Sequence, residues 1–480
     1  MSRKNLYRAA FVQSWLATMA FGGFLTTVAS NGSQLVAGGA ILLAAILAMN
    51  GLARTDMFLA GGGPRWWYKF PIFGFFHRIT NEGELAGIAV GIAAGGTILW
   101  WGQSLHIPWG ECFTLLGIMS AANIAVRHMI PIMGFLERIG DMRLVIAGGS
   151  LLSSLTGEPA AAVFLCDYVK TRIDSEEDKK RVAVGLAATI GSGGGLTFFA
   201  APPILIVWSK LEASFGWGIT DLIAWVGVGC VLHVTLTTFR FYQHVGKNVE
   251  FSNNQPRLSR ESIKPLAILV SIVIAHILAA IFKPSQVWIG LLWAADSAAA
   301  VYSYLLAHAK YADVDQDDQH ALEEAFTARW QPLILAVLLA ALELIGVVAE
   351  PLIIWIGQKV LVLSVMMPKA IALYVLALMM FFLSAVTSHF ADNALASRVY
   401  IIIPMSLIKS LGLGPATLLA TAVVQGALFG GLLTVPANLP NFYISRALGV
   451  GPGPWIRTSW RLYWTCIAYL AWLTVRFVIL

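Results

Sequence analysis

The segment SLLSSLTGEPAAAVFL at residues 150–165 aligns without a gap on SAVTSHFADNALASRV at residues 384–399. Serines and alanines recur at matching positions, and Glu158 falls opposite Asp392. Few random pairings would put the acidic residue at the same place in both segments. The alignment therefore predicts an internal repeat whose two halves each carry one carboxylate.

A second pair of segments follows each of these at nearly the same distance. GSGGGLTFFAAPPILI begins at Gly191, and GALFGGLLTVPANLPNFYI begins at Gly426. With a one-residue gap, both contain paired glycines, a threonine and then two prolines. Spans that glycine and proline interrupt at corresponding positions of two halves indicate the binding site of a transporter.

The composition assigns the chain to the membrane. Of its 480 residues, 58% are hydrophobic and 12% are charged, whereas soluble domains have about 25% charged residues. Apolar runs are about 20 residues long, which is what a helix needs to cross the hydrocarbon core. We therefore predict an all-α polytopic membrane protein in which some runs are half-spans, with separate runs at 331–348 and 352–366.

The interrupted spans also have a chemical meaning. A bilayer tolerates non-helical backbone only where protein or a water-filled cavity surrounds it, so breaks mark cavities. The carbonyl end of a broken helix can replace part of a cation's hydration shell, and serine and threonine hydroxyls add neutral oxygen ligands. Hard cations such as sodium bind oxygen ligands of this kind.

Glu158 and Asp392 lie in otherwise apolar spans, where an ionised carboxylate costs about 2.5–3.5 kcal/mol. Such a group can bind either a proton or a cation, and that competition is the chemistry of antiport. Asp392 has Asn393 beside it and His389 three residues earlier, which we predict to share its helical face. Either carboxylate could instead cap a helix end near the interface.

Other polar residues within apolar runs leave alternatives open. Asp296, Glu343 and Glu350 could be proton-relay groups, and Arg398 could neutralise a carboxylate. The four cysteines lack metal-ligand spacing, and the sequence contains no Walker A, G-x-S-x-G or H-E-x-x-H motif. We therefore expect no enzyme, no cofactor and no nucleic-acid partner.

At SHFADNALAS, residues 388–397, the chain resembles the ion-transporter superfamily, which includes sodium/proton antiporters, arsenite exporters and dicarboxylate carriers. Its serine and acid–asparagine pair are similar to the S-A-x-x-D-N form of the antiporter and arsenite branches. SSLTGEPAAA at 153–162 is the looser counterpart, with glutamate and proline in place of that pair. The closest overall resemblance is to a sodium/proton antiporter branch. The Ser-Asn-Thr triplets of the dicarboxylate branch are absent, which disfavours a carboxylate substrate.

The resemblance implies an inverted repeat with a re-entrant hairpin and a broken helix in each half, a scaffold that forms a homodimer, and a transport region that moves. It also implies where a sodium-like ion would bind. The implied site residues are Ser154, Thr156, Glu158, Ser388, Asp392 and Asn393, with backbone near Ser192 and Gly193 and near Thr434 to Asn438, and an amide oxygen from Asn438 or Asn441.

We predict the following organisation: scaffold helices at 1–140, a first transport segment at 141–240, linker and scaffold helices at 241–369, a second transport segment at 370–450 and a C-terminal helix at 451–480. Basic residues before the first span predict a cytoplasmic N-terminus, in a bacterial inner membrane. Small inorganic ions, protons and membrane lipid are the expected partners.

These observations predict a sodium/proton antiporter that works by alternating access. The nearest alternative is a sodium- or proton-coupled carrier of an anion or metalloid in the same fold. A channel or a membrane-bound scaffold that keeps the repeat without coupled transport is a further alternative, and it would show no proton flux.

Overall fold

The computed structural model describes residues 3–59, 82–139, 142–173, 175–241, 260–310, 319–364 and 367–480. Within these ranges the chain forms α-helices with short 3-10 and π segments, and no β-strand. Among the described residues, eight helical stretches are long and apolar enough to cross a membrane. The prediction of an all-α polytopic membrane protein is confirmed.

The helices are numbered here in chain order. Of the helices in the described ranges, the first four are α1 (Arg3–Ala29), α2 (Gln34–Leu59), α3 (Glu82–Trp100) and α4 (Trp109–Ile139). The first repeat contains α5 (Met142–Thr156), α6 (Glu158–Arg172), α7 (Glu176–Gly193) and α8 (Pro202–Phe215). It is followed by α9 (Ile219–Leu222) and α10 (Val228–Phe241), which a π-helical segment joins.

Between the repeats, the part of the chain that the structure describes contains three α-helices: α11 (Ile263–Phe282), α12 (Gln286–Lys310) and α13 (Gln319–Ser364). The second repeat contains α14 (Lys369–Phe390), α15 (Asn393–Tyr400), α16 (Ile402–Leu411), α17 (Leu413–Gly430) and α18 (Leu439–Ala447). The chain ends with α19 (Pro452–Leu462) and α20 (Ile467–Ile479).

The chain divides into two compact units. The first consists of residues 1–124 and 284–352, and the second of residues 125–283 and 353–480. Each unit is therefore assembled from two separate stretches of sequence. Both halves of the repeat belong to the second unit.

Helix packing in the first unit depends on glycines where two backbones meet. A Cβ on Gly38 of α2 would lie 2.8 Å from the carbonyl oxygen of Val348 on α13. A Cβ on Gly91 of α3 would clash with Ala341, also on α13. Small residues let membrane helices approach closely. Both α2 and α3 therefore pack directly against α13.

The prediction of separate helices at 331–348 and 352–366 is wrong. α13 is one continuous helix with Pro332 and Pro351 inside it. Membrane helices tolerate internal prolines because neighbouring groups and local adjustments satisfy the freed backbone carbonyls. A proline in an apolar run is therefore not by itself a helix end.

Two helical hairpins turn at the aligned acidic residues. In the first hairpin, α5 and α6 are separated by Gly157, whose φ of 81° and ψ of 148° are accessible essentially to glycine alone. In the second, α14 ends at Phe390, and Ala391 and Asp392 are extended before α15 begins. Each hairpin thus opens its second helix beside a carboxylate.

Each hairpin is followed by a helix that breaks at its glycines. After α7, a 3-10 turn at Gly194–Leu196 leads to extended Thr197, and α8 begins at Pro202. After α17, the chain passes through extended Thr434 and a 3-10 turn at Val435–Ala437 before α18. The predicted interruptions are therefore present in both halves.

The two halves pack reciprocally. The second hairpin helix of the first half, α6, contacts α18 of the second half, and α15 of the second half contacts α8 of the first. In each half the first hairpin helix also packs on the first part of the broken helix, as α5 on α7 and α14 on α17. Reciprocal contacts between equivalent elements are typical of a two-fold relation.

Candidate functional site

Two equivalent threonines fix the broken helices to the hairpins. The Thr197 hydroxyl donates to the Ser154 carbonyl oxygen at 2.6 Å, and the Thr434 hydroxyl donates to the His389 carbonyl oxygen at the same distance. Thr434 is a predicted site residue, whereas sequence reasoning omitted Thr197. The alignment of GGGLT with GGLLT contained the signal, because the two threonines occupy the same place after the glycines.

The hairpin serines bind backbone carbonyls in the same way. Ser153 donates to the Ile190 carbonyl at 3.0 Å, and Ser388 donates to the Ala427 carbonyl at 3.0 Å. Thr156 donates to the Leu152 carbonyl at 3.3 Å, within its own helix. These contacts satisfy carbonyls and hydroxyls that burial would otherwise leave unpaired. The hydroxyls of Ser388 and Thr156 therefore have structural partners.

Glycines allow the breaks to lie close to the hairpins. A Cβ on Gly193 would clash with the Ser150 carbonyl, and a Cβ on Gly430 would clash with the Ala385 carbonyl. Gly193 was predicted for its backbone near the ion. In the structure its Cα faces the first hairpin helix, a close approach that only glycine permits.

Glu158 lies fully buried at the first break. Its N–H donates to the Ala200 carbonyl oxygen at 3.0 Å, which holds the start of α6 against the extended segment. The Asn438 amide donates to its Oε2 at 3.1 Å. Among the residues that the structure describes, its Oε1 has no hydrogen-bond partner. A Cβ on Gly194 would lie 2.9 Å from that oxygen.

Two buried asparagines of the second half lie on either side of Gly431, and one of them, Asn438, contacts this carboxylate. A Cβ on Gly431 would lie 3.3 Å from the Cβ of Asn438 and 3.4 Å from Nδ2 of Asn393. Within the described ranges, Oδ1 of Asn438 and both polar side-chain atoms of Asn393 have no hydrogen-bond partner. Gly431 thus separates two amides whose oxygens remain open.

Buried polar atoms are almost always hydrogen-bonded, and a buried unpaired one costs about 1–3 kcal/mol. Here Glu158 on α6, Asn393 on α15 and Asn438 just before α18 leave such atoms in one connected group, because Asn438 contacts Glu158 and both asparagines lie near Gly431. We call these three residues the carboxamide cluster. Its open oxygens are ligands that a hard cation prefers. None of the described residues form a group of three or more His, Cys, Asp or Glu with metal-binding geometry.

Asp392 has a different environment from Glu158. It is partly exposed and is the N-cap residue of α15, since its Oδ1 accepts a hydrogen bond from the Ala394 N–H at 2.7 Å. Its charge is close enough to Glu158 for the two carboxylates to interact electrostatically. The capping alternative therefore describes the contacts of Asp392 but not those of Glu158, whose Oε2 accepts from Asn438 instead.

His389 does not share a helical face with Asp392, and that prediction is wrong. α14 ends at Phe390, so the helical spacing stops before Asp392. Nδ1 of His389 lies 2.5 Å from the Gly430 carbonyl oxygen, and its Nε2 lies 3.1 Å from the Tyr463 hydroxyl. The imidazole therefore connects the second hairpin to the second break.

Two further predicted residues have partners outside the carboxamide cluster. The Ser192 hydroxyl lies 2.7 Å from Nδ1 of His233. The Asn441 amide donates to the Gly431 carbonyl and, at 2.9 Å, to the Thr434 carbonyl. Of the two candidate amides, Asn438 contacts the carboxylate and Asn441 braces the second break.

The remaining acidic candidates belong to the first unit. Asp296 of α12 is buried against Gly117 of α4, where a Cβ would clash with its carboxylate. Glu343 is buried and Glu350 is half-buried, both on α13. The carboxamide cluster is built wholly from the second unit.

Comparison with known proteins gives one family. The model of the family described as "Putative Na+/H+ antiporter" matches residues 115–449, which include both hairpins and both broken helices. No curated protein sequence matches the chain.

Proposed function

Because this chain belongs to the Na+/H+ antiporter family, we propose that it exchanges sodium, or a similar monovalent cation, for protons at the carboxamide cluster. At the level of the family the activity is cation/proton antiport, which is the activity of a transporter. The choice of sodium, the coupling residues and alternating access are the proposal.

One observation carries the assignment of the site. Glu158 is fully buried, its Oε2 accepts from Asn438, and its Oε1 is open within the described part of the chain. A single open oxygen on a buried carboxyl can hold a proton or contact a cation, but not both. Exchange then follows from competition for one position, because binding of either species requires release of the other.

The amides give the site its preference for a cation. Oδ1 of Asn438 and Oδ1 of Asn393 are neutral oxygens that can replace water around a small ion. The ionised Glu158 carboxylate supplies the compensating charge. An anion at the same place would meet this carboxylate, with Asp392 in electrostatic range, and like-charge repulsion would disfavour it.

The reciprocal packing supports alternating access. Glu158 is contributed by the first half and both amides by the second, so movement of one half against the other would open or close the site. We assign the transport role to the second unit, which contains both repeat segments, and the scaffold role to the first. We further propose that the protein forms a homodimer and contacts membrane lipid, and that it lies in a bacterial inner membrane with its N-terminus in the cytoplasm.

The test uses purified protein in proteoliposomes that contain a pH-sensitive dye. Sodium, lithium or potassium is added outside, and proton efflux is recorded for wild type, Glu158→Gln and Glu350→Gln. Glu350 is a matched control, since it is an acidic residue of the first unit. We expect sodium-dependent efflux in wild type and Glu350→Gln, and none in Glu158→Gln.

A wild-type protein that releases no protons for any cation would contradict the proposal. Uptake of an anion or metalloid under a sodium or proton gradient would then favour the coupled-carrier alternative.

A further inference from the structure

A chain of buried hydrogen bonds connects the first break to the C-terminal helix. The Tyr469 hydroxyl of α20 donates to the Ser192 hydroxyl oxygen at 2.8 Å, and the Ser192 hydroxyl lies 2.7 Å from Nδ1 of His233 on α10. Nε2 of His233 lies 2.9 Å from the Thr465 hydroxyl. All four residues are buried. Neither the repeat nor the proposed exchange step accounts for these hydrogen bonds.

The partners determine which ring nitrogen of His233 carries the proton. Thr465 donates its own hydroxyl proton to the Leu462 carbonyl at 2.7 Å, so its oxygen is left to accept from Nε2–H of His233. Nδ1 is then unprotonated and accepts from the Ser192 hydroxyl at 2.7 Å, since the other acceptor that this hydroxyl can reach, the Ala188 carbonyl oxygen, lies farther away at 3.1 Å. The neutral imidazole is satisfied on both sides, which a buried ring requires.

The ring is also held by packing. It stacks on Tyr469 with ring centroids 5.0 Å apart and meets Phe429 edge-on at 5.8 Å. Its position is therefore fixed independently of either hydrogen bond. A ring held in this way can direct the hydroxyl that it binds.

Ser192 lies two residues before Gly194, the glycine against which Glu158 packs. On the other side of Gly194, a Cβ on Gly195 would clash with Cys230, and the Tyr469 hydroxyl lies 3.8 Å from the Cys230 sulfur. Hydrogen bonds to Ser192 and the packing of Cys230 on Gly195 thus hold the backbone on both sides of Gly194, the glycine that packs on the carboxylate.

We propose that His233 is a positioning residue of the ion site, which fixes the end of α7 through Ser192 and so sets the affinity of the Glu158 carboxylate for its cation. This inference rests on the proposed function. Outer-shell partners of this kind orient the residues that touch an ion, and their loss typically costs about 10–100-fold in metal affinity.

Two substitutions separate the hydrogen bonds of the ring. Asparagine at position 233 can place an amide oxygen near Nδ1 and keep an acceptor for Ser192. Glutamine places its amide nearer Nε2 and keeps the donor to Thr465 instead. Both remove the aromatic stacking to the same extent, so each is the matched control for the other.

Sodium-dependent proton efflux is measured in proteoliposomes for wild type, His233→Asn, His233→Gln and Tyr469→Phe. We expect the half-saturating sodium concentration to rise about tenfold in His233→Gln and to stay close to wild type in His233→Asn. Tyr469→Phe removes one donor to Ser192, and we expect it to raise the half-saturating sodium concentration about fivefold. Maximum rates should change little.

Equal half-saturating concentrations in the two His233 variants would overturn the inference, as would a fall in maximum rate alone. If the histidine variants do not yield monodisperse protein, Tyr469→Phe decides, and a wild-type half-saturating concentration overturns the inference. A wild-type protein without sodium-dependent efflux refutes the proposed function instead, so the two failures are distinguishable.

Discussion

Substitution of Gly194 by alanine tests the packing around the Glu158 carboxylate. The new Cβ would lie 2.7 Å from Cγ of Glu158 and 2.9 Å from its Oε1. The backbone of Gly194 is right-handed helical, with φ of −59° and ψ of −22°, so alanine adds no backbone strain. The perturbation therefore acts on the position of the carboxylate.

The size of the effect follows from the cost of overpacking. Inserting a methyl group into a close-packed interior costs about 1–3 kcal/mol. If the displaced carboxylate bears that cost when the cation binds, sodium affinity falls about 5–150-fold, at about 1.4 kcal/mol for each tenfold change. We expect the half-saturating sodium concentration of proton efflux to rise within this range.

The control is Gly453→Ala on α19, where a Cβ would meet nothing within 4 Å. Both variants are reconstituted in the same lipid, and their sodium titrations are compared with wild type. A Gly194→Ala titration that coincides with that of Gly453→Ala would refute the assignment of the cation to the open oxygen of Glu158.

Three further predictions concern the same site. Asn438→Leu removes the donor to Oε2 of Glu158, and loss of a hydrogen bond to a charged group costs about 1.5–3 kcal/mol. The half-saturating sodium concentration should therefore rise about tenfold or more. An unchanged sodium titration would exclude this contact from the site. Asp392→Asn keeps the α15 cap, because asparagine caps as well as aspartate, but removes a negative charge near the cation. Its proton efflux should persist with weaker sodium affinity, and complete loss would make Asp392 the coupling carboxylate. Sodium and a proton compete for one oxygen of Glu158. While the Glu158 carboxyl is mostly protonated, the half-saturating sodium concentration should therefore fall by up to about tenfold for each unit rise in pH. A half-saturating concentration that does not change with pH would contradict this competition.

The repeat was predictable from the sequence because its elements need special residues. The hairpin at Gly157 requires a conformation that essentially glycine alone adopts, and the breaks require glycines where backbones touch and prolines where helices restart. Because of these requirements, glycines and prolines occur at matching positions in the two halves. The sequence therefore predicts the broken helices, whereas the hairpins follow from the family resemblance at residues 388–397.

The relative roles of the two carboxylates could not be predicted in this way. Sequence neighbours made Asp392 the more polar site, with Asn393 and His389 beside it. The helix break at Ala391 directs His389 to Gly430 and Tyr463, and Asp392 becomes a cap. The open oxygen of Glu158 depends on packing between the two halves.

Contacts between residues far apart in the chain were also beyond a single sequence. Asn438 is 280 residues from Glu158, and Tyr469 is 277 residues from Ser192. No periodicity connects such positions. His233 stands in an apolar run without a polar motif, so only the fold brings it to the break.

The most direct test of the central claim is uptake of radioactive sodium into acid-loaded proteoliposomes. A proton gradient, acidic inside, should drive sodium into vesicles that contain the wild-type protein, and Glu158→Gln should abolish this uptake. Gradient-driven sodium uptake by Glu158→Gln at the wild-type rate would contradict exchange at this carboxylate.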